Sequence, residues 1–109
     1  MITAGCDIGS LTSKAVLMKS KRIIGSHIIK SRVKPETSAR EAMEGALKQS
    51  GLSEDQIACC VGTGYGRDKI PFVNQAVSEI ACHGKGAKWL MPSVRTIIDI
   101  GGQDCKAMK

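Results

Sequence analysis

Two segments of this chain repeat one pattern of chemically active residues. The first reads Asp7-Ile8-Gly9-Ser10-Leu11-Thr12-Ser13-Lys14-Ala15, the second Asp99-Ile100-Gly101-Gly102-Gln103-Asp104-Cys105-Lys106-Ala107. In each, an apolar run (Ile2–Ile8, then 96–100) delivers a carboxylate near its end, a glycine turns the chain, and a second strand-like run leaves (13–18, then 105–108). A tight turn at a strand end leaves successive N–H groups convergent and unpaired, which makes an anion-binding concavity. The neighbouring Asp can hold a divalent cation, usually through water, against that anion. A single Asp in such a place could equally order the turn through its own side chain. Because the pattern occurs twice, we expect two facing hairpins that grip a metal–nucleotide between them.

The elements that must position these residues follow from period and punctuation. Strands are expected at Ile2–Ile8, 13–18 and 23–29, with a turn at 19–22, as an antiparallel meander. Pro35 and Thr37 open a helix with Thr37 as its N-cap, Ala39, Ala42, Met43, Ala46 and Leu47 at helical spacing, and Gly51 as its stop. A short buried strand at 57–61 runs into Thr63-Gly64-Tyr65-Gly66-Arg67. The glycines of that loop suit a cleft rim, a partner contact or a plain turn. A second helix is expected over 75–90, closed by Pro92 and weakened by Gly84 and Gly86, each costing about 1 kcal/mol relative to Ala. The order βββαβα followed by a hairpin suits an α/β, ribonuclease-H-like lobe with a mixed sheet. The repeat sets the domain boundary: residues 1–94 as a first lobe, and 95–109 as the first hairpin of a second, truncated lobe.

Bulk properties exclude several function classes. The chain has 109 residues, 42% of them hydrophobic and 24% charged, and no apolar run approaches the roughly 20 residues needed to span a bilayer. No membrane association is expected, and without a basic-then-apolar leader the expected location is cytoplasmic. The net charge of +6 raises a nucleic-acid reading. Its basic residues are scattered, however, with one dense group at Lys19, Lys21 and Arg22. Tyr65, Phe72 and Trp89 are too few for a base-stacking platform. No nucleic-acid partner is expected. Cys6, Cys59, Cys60, Cys82 and Cys105 are odd in number and lack C-x-x-C spacing, against both a disulfide framework and a zinc site. Cys82 and His83 are adjacent, and adjacent helical residues point in different directions.

The two Asp-Ile-Gly motifs together resemble the paired phosphate motifs of the actin, Hsp70 and sugar-kinase superfamily. Three further segments narrow the resemblance: Thr63-Gly64-Tyr65-Gly66-Arg67, Ser78-Glu79-Ile80-x-Cys82-His83-x-x-Gly86-Ala87, and Arg95-Thr96-Ile97-Ile98 leading into the second motif. With them the chain is similar to the BadF/BadG/BcrA/BcrD-type ATPases, the 2-hydroxyacyl-CoA dehydratase activators and benzoyl-CoA reductase ATP-binding subunits. The resemblance implies ATP, Mg²⁺ and, in the full-length dimer, a [4Fe–4S] cluster bridging two subunits. It also implies ATP-driven, low-potential electron transfer from a donor such as ferredoxin to a dehydratase or reductase component. Asp7 and Asp99 would orient Mg²⁺ through water. Gly9, Ser10, Leu11, Thr12 and Lys14 would face the phosphates from one side, and Gly101, Gly102, Gln103 and Asp104 from the other. Glu79 is weighed between the neighbourhood of the attacking water and a helix-cap or surface role, and Lys106 is read as surface. None of the five cysteines matches a cluster-ligand position. The rival readings are a sugar or acid kinase of the same superfamily and a non-enzymatic, actin-like nucleotide-binding module.

Overall fold

The computed structural model describes residues 1–93 and the backbone of two strands, Ile97–Ile100 and Cys105–Met108. Three strands open the chain: β1 (Ile2–Ile8), β2 (Thr12–Lys19) and β3 (Arg22–Lys30). Helix α1 (Pro35–Ser50) crosses to β4 (Ile57–Thr63), the two-residue β5 (Gln75–Ala76) follows, and α2 (Glu79–Leu90) leads on to β6 (Ile97–Ile100) and β7 (Cys105–Met108). The first five strands form one mixed sheet in the order β3-β2-β1-β4-β5, antiparallel through β3-β2-β1 and parallel through β1-β4-β5. This is the expected mixed α/β sheet. β6 and β7 pair antiparallel. No described helix is long and apolar enough to cross a membrane.

The period-2 alternation decides which face is packed. Ala4, Cys6 and Ile8 of β1 and Ser13, Ala15 and Leu17 of β2 are buried on one face, against Ala39, Ala42, Met43 and Ala46 of α1. Small residues let helix and sheet approach closely. A Cβ on Gly25 of β3 would lie 2.8 Å from the Ala46 carbonyl oxygen, and one on Gly45 of α1 would run into the His27 ring. The opposite face carries the residues between: Gly5 and Asp7 on β1, Lys14 and Val16 on β2.

Two expected boundaries are corrected. Thr37 is not the N-cap of α1. The helix begins at Pro35, preceded by Lys34 and without a side-chain cap, and Thr37 N–H already donates to the Lys34 carbonyl at 3.1 Å. Proline's fixed φ and missing N–H suit the first turn, so it sets the start. Gly51 ends the helix as expected, with φ 73° and its N–H on the Leu47 carbonyl. The second helix starts not at Gln75 but at Glu79, where the Ser78 hydroxyl accepts from Ala81 N–H at 3.3 Å. Residues 75–76 instead extend the sheet as β5, held by Val77 N–H on the Gly62 carbonyl at 2.8 Å. The same crossover is pinned by Asn74, whose N–H donates to the Cys60 carbonyl while its side-chain oxygen accepts from Cys60 N–H.

Candidate functional site

The first Asp-Ile-Gly motif is the β1–β2 hairpin. Asp7 and Lys14 are register partners, and Lys14 Nζ lies 3.5 Å from Asp7 Oδ2. Both side chains are on the face away from α1. Gly9 N–H closes the turn on the Thr12 carbonyl at 3.0 Å. It is therefore engaged within the hairpin. The exposed N–H groups of Ser10 and Leu11 have no hydrogen-bond partner among the described residues. Ser31 braces the turn from the next segment: its hydroxyl donates to the Gly9 carbonyl at 2.7 Å and its N–H to the Leu11 carbonyl at 2.8 Å.

The loop after β4 folds over the end of β1. Gly66 N–H donates to the Ile8 carbonyl at 2.9 Å, and a Cβ on Gly66 would press within 2.8 Å of Ile8. Gly64 has φ 93°, and a Cβ there would run into Asp7 Oδ1 and the Ile8 carbonyl. These glycines are thus demanded by close approach to the strand carrying Asp7. Arg67 bonds the Gly64 carbonyl at 3.1 Å and reaches Glu79 Oε1 at 3.6 Å, tying this loop to the start of α2.

A cavity of about 530 Å³ opens between the sheet face and α2, within the range of small-molecule sites. Asp7, Lys14, Thr63, Cys82 and His83 line its polar part, and Gly5, Val16, Met18, Val61 and Trp89 its apolar part. His83 Nε2 stands 3.8 Å from Asp7 Oδ2. Thr63, the parallel register partner of Asp7, is buried, and its hydroxyl has no hydrogen-bond partner among the described residues. Both members of the adjacent pair Cys82 and His83 line the cavity, and it is His83 that reaches Asp7.

The second motif reproduces the first in register: Asp99 stands opposite Lys106 across β6 and β7, as Asp7 stands opposite Lys14. The side chains of Asp99 and Lys106, and all of Gly101, Gly102, Gln103 and Asp104, lie outside the described residues. The cysteines whose side chains are described, Cys6, Cys59, Cys60 and Cys82, share no single site. Cys6 and Cys60 are buried in the core, Cys59 is exposed and Cys82 lines the cavity. Burial, with Cys60 and Asp7 nearby, pushes the Cys6 thiol up to about 12. Burial, with Cys59 and Glu54 nearby, pushes Cys60 to about 11. Among the described residues no three His, Cys, Asp or Glu side chains are placed to hold a metal ion by themselves. A metal here would need oxygens from a second ligand such as a phosphate.

The chain is similar to several known proteins. The activator of lactoyl-CoA dehydratase from Anaerotignum propionicum is 42% identical over 110 residues, covering all of this chain and 42% of that protein. The solved activator of 2-hydroxyisocaproyl-CoA dehydratase from Clostridium difficile, with bound ADPNP, matches with a TM-score of 0.93 at 40% identity, over 100% of this chain and 41% of that one. Component A of (R)-2-hydroxyglutaryl-CoA dehydratase from Acidaminococcus fermentans matches with a TM-score of 0.92 at 31% identity, over 98% of this chain and 42% of that one. The chain thus spans well under half the length of these relatives. The model of the BadF/BadG/BcrA/BcrD ATPase family matches residues 4–109, and the chain belongs to that family.

Proposed function

We propose that this chain supplies the first phosphate-binding lobe, residues 1–94, and the opening hairpin of the second lobe, 95–109, of an ATP-hydrolysing activator of a 2-hydroxyacyl-CoA dehydratase. The observation that carries the reading is the β1–β2 hairpin, which pairs Asp7 with Lys14 and leaves the N–H groups of Ser10 and Leu11 in its turn without a partner among the described residues. That set fits a metal-bound polyphosphate: a carboxylate for the cation, with an ammonium and backbone donors for the anion. The dehydratase is favoured as partner because the similar relatives above are named for dehydratases.

In this reading Asp7 and Asp99 hold water around Mg²⁺, which when bound neutralises charge on the phosphates. Gly9 through Thr12 shape the turn, Ser10 and Leu11 donate to phosphate oxygens, and Lys14 adds a positive charge. Gly101, Gly102 and Gln103, with Asp104, do the same from the second hairpin. Glu79 stands at the start of α2, oriented by Arg67, and can hold a water on the side of the transferred phosphate. Hydrolysis then needs chiefly positioning and charge neutralisation, which both lobes must close to provide. The described cysteines do not fit a [4Fe–4S] cluster. Its ligands, the homodimer or paired subunit it bridges, and docking to ferredoxin and dehydratase would all lie elsewhere in a cytoplasmic full-length protein.

The test is calorimetric titration of the full-length protein with ADPNP, with and without Mg²⁺, followed by a hydrolysis assay without any small-molecule acceptor. Magnesium-dependent binding and acceptor-independent phosphate release support the proposal. Absence of binding at millimolar ADPNP refutes it, and phosphate transfer only to an added sugar or acid makes the protein a kinase.

A further inference from the structure

We propose that His83 is a positioning residue for Asp7, so that the metal requirement of the nucleotide site depends on helix α2. The inference rests on the reading of Asp7 as the carboxylate that meets the metal–nucleotide.

The two oxygens of Asp7 have different surroundings. Oδ1 lies against Gly64, where no Cβ fits. Oδ2 faces Lys14 Nζ at 3.5 Å and His83 Nε2 at 3.8 Å. The two side chains are equally exposed, but Lys14 brings its charge on a flexible four-carbon stem and sets the direction of the carboxylate poorly. His83 has two side-chain torsions and sits on a helix whose start is capped by Ser78 and tied to the loop through Arg67 and Glu79. It can fix that direction. Beside Asp7, the buried Thr63 hydroxyl has no partner among the described residues. A buried polar atom without a partner costs about 1–3 kcal/mol, so a water or ligand oxygen is expected there. Asp7 of β1, Lys14 of β2, Thr63 of β4 and His83 of α2 therefore all line the one cavity. Partners that orient a ligating carboxylate typically change metal affinity or activity by roughly 10–100-fold when removed.

The experiment compares wild-type, His83→Ala and His83→Gln full-length proteins, each alone and combined with Asp7→Asn. The readout is the Mg²⁺ concentration that half-saturates ADPNP binding, by calorimetry, together with Tm without ligand. His83→Ala should raise half-saturating Mg²⁺ roughly 10-fold or more, leave metal-free Tm near wild type, and be largely rescued by His83→Gln, whose amide reaches the same place. In the Asp7→Asn background His83→Ala should add nothing. An unchanged Mg²⁺ requirement in His83→Ala, or effects of the two substitutions that simply add, overturns the proposal. A wild-type protein that binds ADPNP without regard to Mg²⁺ would instead sink the functional reading itself.

Discussion

Asp7 and Lys14 face each other across β1 and β2 at 3.5 Å, on the face of the sheet that α1 leaves uncovered. Half-exposed ion pairs of this kind contribute about 0–1 kcal/mol to folding, so losing this one should cost little stability. Lys14→Ala should leave Tm within a degree or two of wild type while weakening Mg–ATP binding about 10-fold or more, because a charge-assisted contact to phosphate is lost. Thermal melts beside calorimetric titration separate the two effects. A large fall in Tm with unchanged affinity would make Lys14 structural.

Gly64 cannot take a side chain without displacing its neighbours. Its φ of 93° disfavours any L-residue, and a Cβ would displace Asp7 and the end of β1. Gly64→Ala should cost both stability and nucleotide affinity. Gly51→Ala, at φ 73° with open space around it, should cost stability alone. Comparing Tm and ADPNP affinity in the two variants checks this, and equal affinity in both would detach the loop from the site.

The buried thiols give the protein an alkaline limit. Cys6 holds its proton up to about 12 and Cys60 up to about 11, against 9.0 for a free thiol. Above pH 9 the unfolded chain loses protons that the folded chain keeps, so stability is fully present below pH 9 and falls as pH rises towards 11 and 12. Urea midpoints measured from pH 7 to 10.5 should decline at the alkaline end. The decline should be shallower in Cys60→Ala, once its lower baseline is subtracted. A flat profile would contradict the burial of these thiols.

The described cysteines share no site, which predicts a negative result. Anaerobic reconstitution of this 109-residue chain with iron and sulfide should yield no stoichiometric cluster by metal analysis and visible spectrum. Cluster uptake that vanishes in Cys82→Ser would place a ligand in the α2 cavity and overturn that part of the account.

The meander, α1 and the repeated hairpin were legible in the sequence because strong alternation, helical spacing and the paired Asp-Ile-Gly motifs all agree. The misreadings have local physical causes. Thr37 has a capping side chain, but Pro35 fixes the backbone two residues earlier. Gln75 and Ala76 carry no strand pattern of their own and pair only because β4 offers a free edge. The uses of Gly64 and Gly66 could not be separated in sequence, since close approach to β1 is a tertiary fact. His83 and Thr63 are not legible as neighbours of Asp7 for the same reason: β1–β4 pairing brings Thr63 beside Asp7 and the placement of α2 brings His83 there, and both are tertiary facts.

The most direct measurement is the rate of ATP hydrolysis by full-length Asp7→Asn and Asp99→Asn proteins beside wild type, with circular dichroism to confirm folding. A preorganised charge at the metal is worth about 3–4 kcal/mol of barrier. Each folded variant should therefore hydrolyse ATP about a hundredfold to a thousandfold more slowly. Wild-type rates in both would contradict the account at its centre.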